Sequence, residues 1–308
     1  MNIASNNDFR SGVVALIGPP NAGKSTLLNT ILGQKVAIVS PKPQTTRNRI
    51  SGIHTTGQGQ IVFLDTPGIH TGGKSRLNRF IVNSAWQALA SAEAVILLLD
   101  GSRYVGRTGL LDREITLLKT RVERSGLPIL VAVNKIDRIK DKTLLLPLIN
   151  HLREHWPAQE FLPVSALRGQ GVEELVAKTF ALLPEAPPLY PEDQVSTVPL
   201  RFLASETVRE KLFLALRQEL PYSVAVDIES WEESETLARI DALIYVARDT
   251  HKSMVIGKGG QQLKSIGQAA REEIQDLLGK KVHLQLWVKV KENWPDNPNF
   301  LLSLGLGE

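Results

Sequence analysis

The sequence predicts an α/β chain in two parts: a doubly wound, largely parallel sheet, then a small α+β domain. Three observations carry that prediction. Short apolar runs alternate with helical stretches through residues 1–183, a proline-rich break fills residues 184–199, and the apolar pattern changes over residues 200–308.

The apolar runs are Val13–Ile17, Ile61–Leu64, Val95–Leu99 and Ile129–Val133, each bounded by Gly, Asp, Ser or Asn. Continuous apolarity marks strands buried on both faces. A helix-like segment follows each one, so ligands are expected at the carboxyl ends of the strands. From Leu183 to Pro199 five prolines deny helix and central strand, and the stretch reads as a semi-rigid linker. Beyond it, Arg201–Gln218 has helical spacing with Phe202, Leu203, Val208, Leu212 and Leu216 as its apolar stripe. Val224–Ile228 and Ala238–Val246 alternate like strands, Lys252–Val255 and Gln261–Leu278 read as helices, and Val282–Val290 as a last strand. Trp287 and Trp294 read as packing residues.

Composition narrows the chemistry. The chain of 308 residues has no cysteine, which removes disulfides, thiolate metal sites and thiol catalysis and fits a reducing cytosol. The six histidines show no metal-ligand spacing. Met1–Ser11 is polar, without the apolar core of a signal peptide, and the longest apolar run, Ala94–Leu99, is too short to cross a bilayer. A cytoplasmic protein is expected, at most peripheral on the inner face of the cell membrane.

Gly18-Pro19-Pro20-Asn21-Ala22-Gly23-Lys24-Ser25, followed by Thr26, links the first strand to a helix. In that context glycines let backbone N–H groups converge on phosphates, and the helix N-terminus adds partial positive charge. Lys24 would reach the β- and γ-phosphates and Ser25 would ligate Mg²⁺. Asp65-Thr66-Pro67-Gly68 ends the strand Ile61–Leu64; Asp65 would hold Mg²⁺ through water and Gly68 would offer its N–H to the γ-phosphate. Between the two lies Gln44-Thr45-Thr46-Arg47, a switch-like segment flanked by Pro41 and Pro43. Either threonine could close on Mg²⁺, and Thr46 is preferred.

Asn134-Lys135-Ile136-Asp137 supplies base choice. Asp137 can accept the N1–H and exocyclic amine of guanine, whereas adenine would leave a buried charge unpaired. Lys135 would lie along the base, and Ser165-Ala166 would present an amide near O6. Together the four ordered elements predict a Mg²⁺-dependent GTP hydrolase, with Lys24, Asn21, Thr46 and Gly68 as the groups nearest the chemistry. The position after Gly68, where many GTPases carry a glutamine, is Ile69. Two readings stay open: a slow enzyme needing help, or a K⁺ site beside Asn21 that adds positive charge at the transition state.

These motifs resemble the Era family of bacterial GTPases, along with Pro43–Arg47, Val164–Ala166, Ser205-Glu-Thr-Val-Arg-Glu210, Val255-Ile-Gly-Lys-Gly-Gly260 and Val288–Trp294. The resemblance implies that the protein binds the 3′ end of small-subunit ribosomal RNA and assists 30S subunit maturation. Ile69 agrees with it. Read from its own residues, Gly257-Lys258-Gly259-Gly260 between two helices is the grip of a KH domain, and the element order fits type II. Lys252 and Lys264 flank it. Residues 245–291 carry nine basic against four acidic side chains, which favours a polyanion. The expected partners are GTP or GDP, ribosomal RNA and the 30S subunit, bound by a monomer. The rival reading is a GTP-regulated switch whose basic domain contacts an anionic membrane.

Overall fold

The computed structural model describes residues 9–42, 45–69, 75–217 and 220–306. Pro43, Gln44, most of Met1–Ser11, Gln218 at the end of the expected helix, and residues 307–308 lie outside the described residues. Elements follow in the order β1 (Arg10–Ile17), α1 (Lys24–Leu32), β2 (Ile50–Thr56), β3 (Gly59–Asp65), α2 (Arg76–Ala90), β4 (Ala94–Asp100), α3 (Gly101–Tyr104), α4 (Thr108–Arg124), β5 (Ile129–Asn134), α5 (Leu145–His155), β6 (Glu160–Pro163) and α6 (Val172–Leu182). After these come α7 (Leu200–Ala215), β7 (Val224–Glu233), β8 (Leu237–Val246), α8 (Asp249–Ile256), α9 (Gln261–Leu278), β9 (Lys281–Val290) and α10 (Pro298–Ser303). The described residues fall into two units. The first lies within Met1–Ala37, Thr46–Gly72 and Val82–Thr197, the second within Ile38–Thr45, Gly73–Ile81 and Val198–Glu308.

In the first unit the strands are ordered β2-β3-β1-β4-β5-β6. β1 pairs in parallel with β3 and with β4, and β5 and β6 continue the parallel run. Only β2 is antiparallel, on β3, a strand the apolar pattern did not reveal. The strands are apolar runs because both faces are covered: Val14–Ile17, Val95–Leu98 and Val131–Val133 are all buried. The sheet grows in opposite directions from β1, so the crevice at its carboxyl end opens where the phosphate loop begins.

Residues 184–197 stay with this first unit. The Ser11 hydroxyl donates to the Pro187 carbonyl at 2.6 Å, and the Ile53 amide donates to Val195 at 2.8 Å. The buried Gln60 carboxamide accepts from the amides of Leu189 and Tyr190 at 2.8 and 2.9 Å and donates to the Tyr190 carbonyl at 2.9 Å. A side chain thus satisfies backbone groups that the prolines keep out of regular pairing.

The second unit has a three-stranded sheet in the order β7-β8-β9, with β8 antiparallel to β7 and parallel to β9. Ala238, Ile240, Ala242, Ile244 and Val246 alternate along β8 toward α7 and α9, giving one core with Ala204, Val208, Leu212, Ile266, Ala270 and Ile274. Those helix residues recur every four positions, but only α9 buries one narrow stripe, whereas α7 is buried all the way round from Ala204 to Glu210. On α7 the fully buried stripe is Ala204, Val208, Leu212 and Phe213, while Phe202 and Leu203 are half-buried. Trp294 behaves as expected: it is fully buried, its indole N–H donates to Ser223 at 3.1 Å, and Phe300 meets it edge-on. Trp287 does not. It faces away from the helices on β9 and is 55% exposed, because odd positions of that strand point outward.

Candidate nucleotide site and nucleic-acid loop

The loop from Gly18 to Gly23 turns β1 into α1, whose first turn carries Lys24, Ser25 and Thr26. Its glycines are imposed from within. A Cβ on Gly18 would lie 2.3 Å from the Leu98 carbonyl oxygen, and one on Gly23 would lie 2.3 Å from the Asn134 side-chain nitrogen. Gly68 is squeezed likewise, 2.5 Å from the Pro20 Cα. The Ala22 amide closes the turn on the Pro19 carbonyl, and Asn21 stands at the tip with φ 59°. Lys24 is buried, and its ammonium donates to the carbonyls of Gly18 and Pro19, each at 3.0 Å. Burial pushes its pKa down to about 8; Asp65 opposes that and Lys135 adds to it.

Three expected metal ligands meet beside Lys24. The Ser25 hydroxyl donates to Asp65 Oδ2 at 2.6 Å and lies 2.9 Å from the Thr46 hydroxyl. Thr45 turns elsewhere, its hydroxyl bonding Ser40 and the Lys42 carbonyl. Asp65 is fully buried, and its Oδ1 has no hydrogen-bond partner. Burial pushes its carboxyl up to about 6, against the pull of Ser25 and Lys24. Two hydroxyls and a carboxylate with an unused buried oxygen are the hard donors that suit Mg²⁺. Thr66 is a strap, donating to the Leu16 carbonyl at 2.7 Å, and Pro67 is buried after it. Ile69 packs into the core with Ile17 and Leu97.

The residues expected to read the base stand at the ends of β5 and β6. Asn134 is a clip: its Nδ2 donates to the Ala22 carbonyl at 2.8 Å and its Oδ1 accepts the Ala166 amide at 2.9 Å. The amide expected at guanine O6 is therefore engaged by Asn134 here. Asp137 Oδ1 accepts the Ser165 hydroxyl at 2.6 Å, which holds its carboxyl below the usual carboxylate range and fixes its orientation. Lys135 has φ 63°, and its ammonium pairs with Asp100 at 2.6 Å. Asp100 escaped the sequence reading. Its place at the carboxyl end of an apolar run was the available signal.

In the second unit, Gly257 ends α8 at φ 73°, Gly259 has φ 58° and Gly260 leads into α9 at φ 75°. A Cβ at Gly259 or Gly260 would meet nothing within 4 Å. Lys258 and Lys264 are exposed and Lys252 half-buried around the loop, and no described carboxylate pairs with them. Three other cations of this region are occupied: Lys280 pairs with Glu233, Lys289 with Glu229, and Lys291 lies over the Phe300 ring. Lys252, Lys258 and Lys264 thus put three cations without a described carboxylate partner around the loop, beside the N-terminus of an 18-residue helix.

A phosphate loop, an Asp-x-x-Gly strand end and an Asn-Lys-x-Asp loop on this sheet, followed in the sequence by a helix–strand–strand–helix–helix–strand unit, define a GTPase joined to a KH domain. Comparison with known proteins agrees. Residues 13–135 match the family model described as 50S ribosome-binding GTPase, and residues 219–295 match the KH domain model. GTPase Era of Nitratidesulfovibrio vulgaris is 54% identical over 303 residues, covering 98% of each chain. GTPase Era of Xylella fastidiosa is 43% identical, covering 96% of this chain and 97% of its own. The solved structure of an Aquifex aeolicus Era variant bound to GDP·AlF4⁻ superposes with a TM-score of 0.90 at 39% identity, covering 97% of this chain and all of the other. A structure of Era with MgGDPNP and nucleotides 1506–1542 of 16S ribosomal RNA matches equally well. The chain belongs to the GTPase Era family, and it is a GTP hydrolase.

Proposed function

We propose that this protein couples GTP binding and hydrolysis to a grip on the 3′ end of small-subunit ribosomal RNA, and so assists 30S subunit maturation. The observation that carries the nucleotide half is the cluster of Ser25, Thr46 and Asp65, with its unused buried oxygen, beside the Lys24 ammonium. In this reading those three residues hold Mg²⁺, which neutralises charge on the β- and γ-phosphates. Gly18, Pro19, Pro20, Asn21, Ala22, Gly23 and Lys24 cradle the phosphates. Gly68 caps the γ-phosphate, and Asp137, Lys135 and the Ser165–Ala166 loop select guanine. The side chain of Ile69 is buried and apolar, so orientation of the attacking water falls to other groups. A K⁺ ion beside Asn21 is the device we favour; equal turnover in KCl and NaCl would remove it.

For the RNA half, the open space over Gly259 and Gly260 lets a sugar–phosphate chain approach the backbone, with Lys252, Lys258 and Lys264 around it. The reading takes residues 1–183 as the GTPase part, 184–199 as the connection and 200–308 as the RNA-binding part, in a cytoplasmic monomer. Among the described residues no helix is long and apolar enough to cross a membrane. The deciding experiment is Gly259→Asp, since aspartate tolerates positive φ but sets a negative charge where a phosphate would lie. RNA binding should be lost while GTP affinity stays. If RNA affinity is unchanged and anionic vesicles bind instead, the rival membrane switch replaces this reading.

A further inference from the structure

We propose that Asp100 is a positioning residue for guanine-nucleotide binding, acting through Lys135. The inference rests on the reading above in which the Lys135 stem lies along the guanine plane. β4 ends at Asp100, directly beside Asn134 in the β4–β5 register. The turn after it is packed tightly, since a Cβ on Gly101 would come 2.8 Å from Val133 Cγ1 and 3.1 Å from the Asn134 carbonyl oxygen. Both carboxylate oxygens of Asp100 are then in use. Oδ1 accepts the Ser102 hydroxyl at 2.6 Å and Oδ2 accepts the Lys135 ammonium at 2.6 Å. Ser102 therefore aims the carboxylate, and the carboxylate anchors the ammonium.

The anchor matters because lysine is a compact charge on a flexible stem of four carbons. Left free, the stem samples many rotamers, and a base stacking on it would have to order it. Held at both ends, by a backbone at φ 63° and by Asp100, it is a ready surface for a flat purine. The Lys135 and Asp100 side chains are only 19% and 18% exposed, so water competes weakly for the pair. The ligand class is a guanine nucleoside phosphate, and its γ-phosphate has no part in the effect.

The test measures dissociation constants for GDP and a non-hydrolysable GTP analogue with the full chain, as wild type, Asp100→Asn, Lys135→Ala and the double variant. Asp100→Asn should weaken both nucleotides by the same factor, about tenfold, the loss expected from one shielded charge-assisted hydrogen bond. During hydrolysis the loss should fall in KM rather than kcat. Asp100→Asn should add nothing in the Lys135→Ala background. Ser102→Ala, which frees one carboxylate oxygen and keeps the charge, should lose about threefold. Wild-type affinity in Asp100→Asn alongside weakened binding in Lys135→Ala would overturn the proposal and spare the base reading. Equal losses in both backgrounds would also overturn it, since Asp100 would then act by another route. Unchanged affinity in Lys135→Ala would sink the base reading and the proposal with it. Should Asp100→Asn fail to melt cooperatively, Ser102→Ala decides alone, and unchanged affinity there rejects the proposal.

Discussion

Two glycine-rich loops in this chain, both proposed to take phosphate, are built on opposite plans. At Gly18, Gly23 and Gly68 a methyl group would collide with the protein itself, within 2.3–2.5 Å of a carbonyl, an amide nitrogen or a proline Cα. At Gly259 and Gly260 it would meet nothing. The charges divide the same way. Lys24 and Asp65 are buried, while Lys258 and Lys264 stand in water. A small, highly charged ligand that must be enclosed calls for a mould finished in advance. A long chain that must be laid on and lifted off calls for an open rail.

Substitutions can break this contrast. Gly18→Ala should destabilise the chain by about 3 kcal/mol without any ligand present, because a backbone carbonyl cannot step aside. Thermal melting of the nucleotide-free protein measures it, and a loss below about 1 kcal/mol would mean that the mould is soft.

A second expectation concerns the buried carboxylate. Asp65 has its pKa pushed up to about 6, above its unfolded value. Between about pH 4 and pH 6 the folded chain keeps a proton that the unfolded chain has released. Stability without Mg²⁺ and nucleotide therefore falls as pH rises through that window, by about 3 kcal/mol, and is flat above it. Asp65→Asn should remove this fall, and melts of both proteins from pH 4 to 7 would show it.

At the open loop the expected effects are smaller and of another kind. Gly259→Ala should cost about 1 kcal/mol of stability through its positive φ alone, with no steric part. Lys258→Ala should weaken RNA by about 1 kcal/mol and make the salt dependence shallower by about one unit of slope. GTP affinity should not change in either variant. A steeper salt slope, or a large loss of stability at Gly259, would place the two loops in one class after all.

The chemistry was legible because it is local. Each element of the nucleotide site is a short run, from Gly18–Ser25 to Ser165–Ala166, set at the end of an apolar strand. What escaped was non-local. The antiparallel β2 has a weak pattern, Ile50-Ser-Gly-Ile-His, and owes its place to β3. Asp100 acts through a lysine 35 residues away. Trp287 looked like core, but its neighbours Leu286 and Val288 face the helices and it does not. Residues Ile38–Thr45 and Gly73–Ile81 group with the second unit although the sequence embeds them in the first, and composition does not mark such a regrouping. Leu77 and Ile81 show its basis, clustering with Trp294 and Phe300.

Gln60 sets where this protein could be divided. Its carboxamide is wholly enclosed, and three of its hydrogen bonds run to Leu189 and Tyr190. A fragment ending at the last residue of α6 would leave that amide facing a vacancy, at a cost of about 1–3 kcal/mol for each group stripped of its partner. A fragment ending at Thr197 would keep every one of those bonds. The proline-rich stretch is thus a sealing strip on the first unit for most of its length, and a protease or a gene fusion would find its clean seam only past Thr197.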